Sequence, residues 1–367
     1  MIGFNDIIGQ EEVKQRLLAE LRNGKLPHAL MLYGPEGNNA LPLALALAHD
    51  LLGINRQQQL MLDQLQHPDL HFSFPIYRKE SGKPAPCDIY LKQWREQLLR
   101  TPYFGYSEWM EAIGAENQQL MIYDDESDNL SSKLSLKANQ GGYKVVIMWL
   151  PEKMNTVCSN KILKLLEEPP LQTVFILVSE NPDKLLTTIR SRCQSISVPP
   201  LAEDDIRKYL TDNCAVDAAI ANDVAHISNG NLCSAIRKIT DDSEQEQFFD
   251  LFVSLMRLSY VRKVKEMKLW SEQVAALGRE RQKRLLTYCQ RMVRENFIYN
   301  FHSPDLNYMT RQEADFAVRF APFINERNVI GIMTELNSAQ RDIEQNANAK
   351  IVFFDFALKM IVLIKNR

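Results

Sequence analysis

The chain has 367 residues, of which 45 % are apolar and 24 % charged, and its formal net charge is −3, so it has the length for two or three domains with ordinary cores. The slightly acidic balance, with a pI of about 6.1, excludes a protein that grips nucleic acid through a global basic excess. Six scattered cysteines (Cys87, Cys158, Cys193, Cys214, Cys233, Cys289) form no C-x-x-C pair, which argues against a zinc site and a disulfide framework and fits a reducing cytoplasm.

The opening MIGFNDIIGQEE has neither a basic flank nor a long apolar run, so no signal peptide is expected. Ala29–Tyr33 predicts a buried strand. Gly34-Pro35-Glu36-Gly37 follows, then a helix over Leu41–Leu52 that is apolar nearly all round, with Pro42 in its first turn and Gly53 at its end. Strand, glycine loop and helix form the layout of a phosphate-cradling loop, G-x-x-x-x-G-K-[ST]. Gly34 and Gly37 fit, but Asn39, Ala40 and Leu41 stand where the motif wants Gly, Lys and Ser/Thr. Ala40 supplies no ammonium, so a charge-assisted hydrogen bond of roughly 1.5–3 kcal/mol is missing. Leu41 offers no oxygen to magnesium. Asn39 is the mildest change, since Asn tolerates left-handed backbone. The loop amides could still hold an anion weakly.

Further strands are predicted at Leu70–Phe74, Lys144–Met148, Thr173–Val178 and Ser195–Val198, short apolar runs separated by helical patterns, which implies a parallel sheet covered on both faces. The second of these four runs into Trp149, Leu150 and Pro151, where a hydrolysing site needs an aspartate for magnesium and a glutamate to orient water. Glu152, behind the proline, is a poor substitute. Thr156–Glu168 reads as a helix with Cys158, Ile162, Leu165 and Leu166 on one stripe, stopped by Pro169–Pro170. At its end Glu167 and Glu168 suit a structural or subunit-contact role better than a catalytic pair. His28, His67 and His71 lack a fourth soft ligand and read as structural histidines.

Pro199–Pro200 marks a boundary, after which Glu203, Asp204 and Asp205 open a helix at its positive end. From there on the pattern is helical: a small domain to about Thr240, a polar link or helix start over Asp241–Gln247, then a larger helical domain. Met256–Asn300 holds eleven Lys/Arg against four Glu, more in keeping with a solvated helix face than with nucleic-acid contact. Ile351–Ile364 is the most apolar segment, interrupted by Asp355 and Lys359 at i,i+4 spacing, and reads as a buried terminal helix rather than a membrane span.

Taken together, LPHALMLYGPEG, NKILKLLEEPP and VSENPDKLLTTIRSRCQ, with FNDIIGQEEV and SLKANQGGYKVVIM, resemble the δ′ family of the bacterial DNA polymerase III clamp loader, an AAA+ family, over residues 1 to about 240. The resemblance implies an AAA+ α/β domain over 1–200, a helical lid over 201–242 and an all-α collar (oligomerisation) domain over 243–367. It places Gly34, Gly37, Asn39, Ala40 and Leu41 in a degenerate phosphate loop, Trp149 and Leu150 where active relatives have an Asp–Glu pair, and Cys233 of GNLCSA where a lid arginine senses nucleotide. Ser191-Arg192-Cys193 matches the intact S-R-C motif, whose arginine reaches a neighbouring subunit's ATP. The plainer reading of Arg192 is a surface arginine paired with a carboxylate, and Cys193 beside it could have a lowered pKa without a base to use it.

The family's four-cysteine zinc module is replaced by NRQQQLMLDQLQ, so neither zinc nor nucleotide is expected as a cofactor. DDESD (Asp124–Asp128) also departs from the family. The expected partners are γ/τ ATPase subunits and δ, and through the complex the β sliding clamp and primed DNA, in the cytoplasm and without a membrane. Two other classes stay open: an active NTPase with an atypical loop, and an AAA+-derived interaction module of another DNA-maintenance complex.

Overall fold

The computed structural model describes residues 2–53, 55–78, 85–115, 118–138, 142–240, 243–302 and 306–365. Asp241 and Asp242 of the expected link, and residues 139–141 of one quoted motif, lie outside them. The chain forms two compact units, one of Met1–Ala115 with Gln119–Ile236 and one that includes Arg237–Arg367. The helices after Pro199–Pro200, up to Ile236, thus belong to the first unit.

That unit opens with α1 (Glu11–Arg22), β1 (Ala29–Tyr33), α2 (Ala40–Leu52), α3 (Arg56–Asp63), β2 (Leu70–Ser73), α4 (Leu91–Arg100), α5 (Tyr106–Ala112) and α6 (Asp124–Ser135). It continues through β3 (Lys144–Trp149), α7 (Thr156–Glu167), β4 (Thr173–Ser179), α8 (Thr187–Arg190), β5 (Gln194–Ser197), α9 (Glu203–Cys214), α10 (Ala218–Ser228) and α11 (Leu232–Thr240), the last running on into the second unit. The five strands pair in parallel in the order β2-β3-β4-β1-β5. Side chains alternate across the sheet: Leu30, Leu32, Val145, Ile147, Val174 and Ile176 enter one core with α2, while Met31, Val146, Met148, Phe175 and Leu177 enter another with α6 and α7. Both faces are therefore dry, which explains why the strands read as continuous apolar runs. Helix α2 is buried over Ala40–Ala48, as its all-round apolar pattern requires.

Strand limits fall within a residue or two of those expected. The informative difference is β3, which continues through Trp149. The stretch NRQQQLMLDQLQ forms α3. Asn55 caps it through Gln58 in a reciprocal capping box (2.9 and 3.1 Å), and Leu62 beneath it is buried. His67 Nδ1 accepts from the Asp69 amide at 3.2 Å, and burial first, then Lys133, pushes His71 down to about 4. Burial likewise lowers the His67 imidazole, against the raising effect of Asp69.

The second unit is helical: α12 (Ser243–Val261), α13 (Val264–Ala275), α14 (Arg279–Tyr299), α15 (Arg311–Phe320), α16 (Val329–Glu344) and α17 (Ala349–Leu363). Phe252, Met292, Ile332, Phe353 and Met360 meet in its core. Asn328, fully buried, donates to the carbonyls of Phe323 (2.7 Å) and Leu363 (3.2 Å) and so ties the start of α16 to the end of α17. Lys359 bridges Asp355 on its own helix and Glu335 on α16, each at 2.9 Å. No helix among the described residues is long and apolar enough to cross a membrane.

The DDESD cluster becomes the first turn of α6, the favourable end of the helix dipole. Asp125 holds Arg78 (2.8 Å) and the Ala85 amide (2.9 Å), and Asp128 holds Lys161 (2.7 Å). Glu126 turns inward, accepting the Cys87 amide at 2.8 Å, and burial raises its carboxyl to about 7 from the usual 4.5. The folded chain therefore binds more protons than the unfolded chain between those values, and stability falls as pH rises through that window. Ionising this carboxyl in place costs on the order of 3 kcal/mol. Glu126→Gln is expected to be more stable than the parent at about pH 8 and close to it at about pH 5, as measured by urea unfolding. A pH dependence identical to the parent's would contradict this assignment.

Candidate functional site

The loop after β1 is built by backbone constraint. Gly37 has φ +76°, and a Cβ there would lie 2.2 Å from Asn231 Oδ1; at Gly34 a Cβ would lie 2.1 Å from the Val198 carbonyl oxygen. Asn39, which caps α2, has φ +69°, the left-handed conformation its side chain tolerates. Asn38, which the motif leaves unspecified, does the most. Its Nδ2 donates to the Val198 carbonyl (2.8 Å), and its Oδ1 accepts the Ala40 amide (3.1 Å) at the N-terminus of α2, where a phosphate would otherwise be received. Asn39 Nδ2 donates to the Ile8 carbonyl (2.9 Å), and Gln10 Nε2 donates to the Asn38 carbonyl (3.0 Å). From the helical segment after Pro200, the Leu232 amide donates to the Gly37 carbonyl at 3.2 Å. Between these parts a cavity of about 30 Å³ remains, bounded by Leu41, Tyr103, Phe104, Trp149 and Cys233, with Glu36 also on its wall. A single water needs about 10–15 Å³ by the same measure.

Trp149 and Leu150, at the position of the missing acids, are core residues exposed by 2 % and 1 %. The Trp149 ring lies 5.3 Å from Trp94 and 5.4 Å from Phe104, and Trp94 in turn stacks on Phe74 at 4.3 Å. Leu150 takes a left-handed φ of +53° and donates its amide to the Val178 carbonyl (2.8 Å). Glu152 has a definite task that its position behind Pro151 did not disclose: it accepts from Ser179 Oγ (2.9 Å) and from the amides of Glu180 (2.9 Å) and Asn181 (3.0 Å), clamping the chain where β4 ends.

Arg192 lies beyond α8 on the turn Ser191-Arg192-Cys193. One guanidinium nitrogen donates to the Thr188 carbonyl (2.9 Å) and another meets Glu167 Oε1 at 2.5 Å, with the two side chains 36 % and 40 % exposed. The sequence singled out both residues separately. Their pairing across 25 positions leaves no local pattern by which to find it. Cys193 is buried and its thiol is pushed up to about 11 by that burial, opposite to the lowering its basic neighbour suggested. The basic stretch also resolves into pairs. Lys263, Arg281, Lys283, Arg284, Arg291 and Arg294 all meet carboxylates, among them Glu244 on α12 and Glu313 on α15. Part of its charge is therefore locally offset, with Arg281 and Arg284 sharing Glu244. Among the described residues no group of three or more His, Cys, Asp or Glu side chains is placed to hold a metal ion.

The sheet order, the loop between β1 and α2 and the helices that follow β5 define an AAA+ α/β protein. The family model described as DNA polymerase III, delta subunit, matches residues 9–202, more than half of the chain, and the chain belongs to that family. Among curated relatives, the chain is 32 % identical to DNA polymerase III subunit delta′ of Yersinia pestis over 49 % of this chain and 44 % of that one. With the Escherichia coli K12 delta′ subunit it shares 30 % identity over 63 % of this chain and 60 % of the relative. The chain thus spans less than two thirds of these relatives' lengths. A gamma subunit-related protein of Thermotoga maritima superimposes with a TM-score of 0.43 at 14 % identity, over 95 % of this chain and 99 % of that one, a likeness too distant to argue from.

Trp149→Asp, which restores an acid at the end of β3, is expected to destabilise the chain by about 3–5 kcal/mol through loss of the buried ring, whereas Trp149→Phe should lose far less. Urea unfolding of both variants decides it. A stable Asp variant would mean that the aromatic cluster is not what fills this position.

Proposed function

We propose that the chain acts as a non-hydrolysing, stator-like δ′ subunit of a DNA polymerase III clamp loader. It assembles in the cytoplasm with γ/τ ATPase subunits and δ, so that the complex opens the β sliding clamp and sets it on primed DNA. In this reading the chain uses neither nucleotide nor zinc of its own. Its chemical contribution is Arg192, offered with Ser191 and Cys193 of the S-R-C turn to the ATP of a neighbouring subunit.

The observation that carries the reading is the contrast between two places in one unit. In the loop that would receive a phosphate, Asn38 already accepts from the Ala40 amide at the N-terminus of α2, and about 30 Å³ of cavity remains beside it. Arg192 meanwhile stands more than a third exposed on a turn fixed by hydrogen bonds from the Ser191, Arg192 and Cys193 amides to α8 carbonyls. A guanidinium presented in trans stabilises charge on the transferring phosphoryl group and is worth orders of magnitude in rate. An active NTPase with an atypical loop would need a metal-side acid, and Trp149 and Leu150 supply none.

The test is DNA- and clamp-stimulated ATPase of the reconstituted loader carrying Arg192→Ala in this subunit, with assembly followed by size exclusion. Turnover is expected to fall by about tenfold or more in an intact complex. Unchanged turnover would rule out the finger role.

A further inference from the structure

The second unit holds a groove of about 580 Å³, within the size of about 300–1,000 Å³ common for ligand pockets, in the part of the chain that the family resemblance makes an oligomerisation domain. Its wall is aromatic. Phe316 and Phe320 of α15 stack at 4.8 Å and 26°, Phe320 and Phe323 at 6.3 Å and 23°, and Phe249 of α12 meets Phe316 edge-on at 5.8 Å. Spacing of i, i+4, i+7 sets three of these rings in one file along the groove.

Arg257 and Arg319 line the same groove and are exposed. In a unit where Arg281, Arg284, Arg291 and Arg294 all hold carboxylates, these two have no hydrogen-bond or ion-pair partner among the described residues. Lys365 adds a cation 5.6 Å from the ring of Tyr260, which also lines the groove. Asp315 is the single acid among the lining residues, so the balance is positive.

We infer that this groove docks an acidic peptide segment carrying one large apolar side chain, which lies along the Phe316–Phe320–Phe323 file while its carboxylates meet Arg257 and Arg319. The chemistry is specific on both sides. An apolar side chain removes ring surface from water, and guanidinium forks match carboxylates in paired hydrogen bonds. Single-stranded nucleic acid fits less well: the Phe rings already spend their faces on one another, leaving no platform for successive bases, and Asp315 opposes a continuous line of phosphates.

The test uses the full chain and fluorescence anisotropy with a fluorescein-labelled pentapeptide, a phenylalanine flanked on each side by two glutamates. Saturable binding is expected, weakened about tenfold or more in the double variant Arg257→Glu/Arg319→Glu, weakened by salt, and strengthened by Asp315→Asn. Alanine in place of the peptide's phenylalanine, or lysines in place of its glutamates, should abolish most of the signal. All three substituted positions are exposed, so thermal melting should match the parent. The inference is overturned by the absence of saturable binding at millimolar peptide, by equal binding of the lysine peptide, or by unchanged affinity in the double variant. Tighter binding of an oligothymidylate at this groove would overturn it in favour of nucleic acid. Concentration-dependent self-association lost in the double variant would overturn it in favour of a second copy of the chain.

Discussion

Trp149 closes strand β3 with an indole, and the candidate site is arranged around that choice. Strands β3 and β4 end beside the loop after β1, so whatever side chain stands at the end of β3 faces the volume a triphosphate would need. An indole there joins Trp94 and Phe104 in a buried cluster, and cores packed at the density of organic crystals do not exchange a ring for a hydrated metal without losing several kcal/mol. Once that volume is apolar, an ammonium or hydroxyl on the neighbouring helix would be a buried polar group without a partner, a cost of about 1–3 kcal/mol. Ala40 and Leu41 avoid it. The substitutions at the loop and at the strand end are thus two sides of one packing decision.

The glycine loop itself survives because it serves the fold. Gly34 and Gly37 leave no room for a Cβ against Val198 and Asn231, and the loop joins β1 to helix α2, which is buried over Ala40–Ala48. Asn38 then provides from within the chain what a bound anion would have supplied, an acceptor for the Ala40 amide, and its Nδ2 in addition donates to the Val198 carbonyl. A buried helix N-terminus needs such partners in any case. Retention of the glycines is therefore expected of the architecture whether or not nucleotide is used.

What could be read in the sequence follows the range of the interactions. Buried parallel strands and the all-apolar α2 are signalled by runs a few residues long, and β1 falls at Ala29–Tyr33 as expected. The i,i+4 pair of Asp355 and Lys359 is likewise local and is formed. Side-chain roles that depend on tertiary neighbours were not legible. Glu152 clamps a turn 28 residues away, Glu126 is buried through a contact with Cys87, and the cations of α14 draw acids from α12 and α15. The charge count of a basic stretch is a property of sequence, whereas its free charge depends on which helices pack beside it.

The pairing of Arg192 with Glu167 bears on what an exposed arginine can do. A buried ion pair would hold the guanidinium against a large desolvation term, and breaking it would leave an uncompensated charge at a cost of about 3–5 kcal/mol. This pair is more than a third exposed on both sides, the class of interaction worth about 0–1 kcal/mol. A polyphosphate carries more charge than a carboxylate and presents several oxygens to the same fork, so it would displace Glu167 at little cost. The carboxylate and the Thr188 carbonyl hold the side chain at the turn. An arginine held weakly and in place gives up less conformational freedom on meeting its target than one that samples solvent. Such an arrangement suits a group that acts on a site outside its own chain.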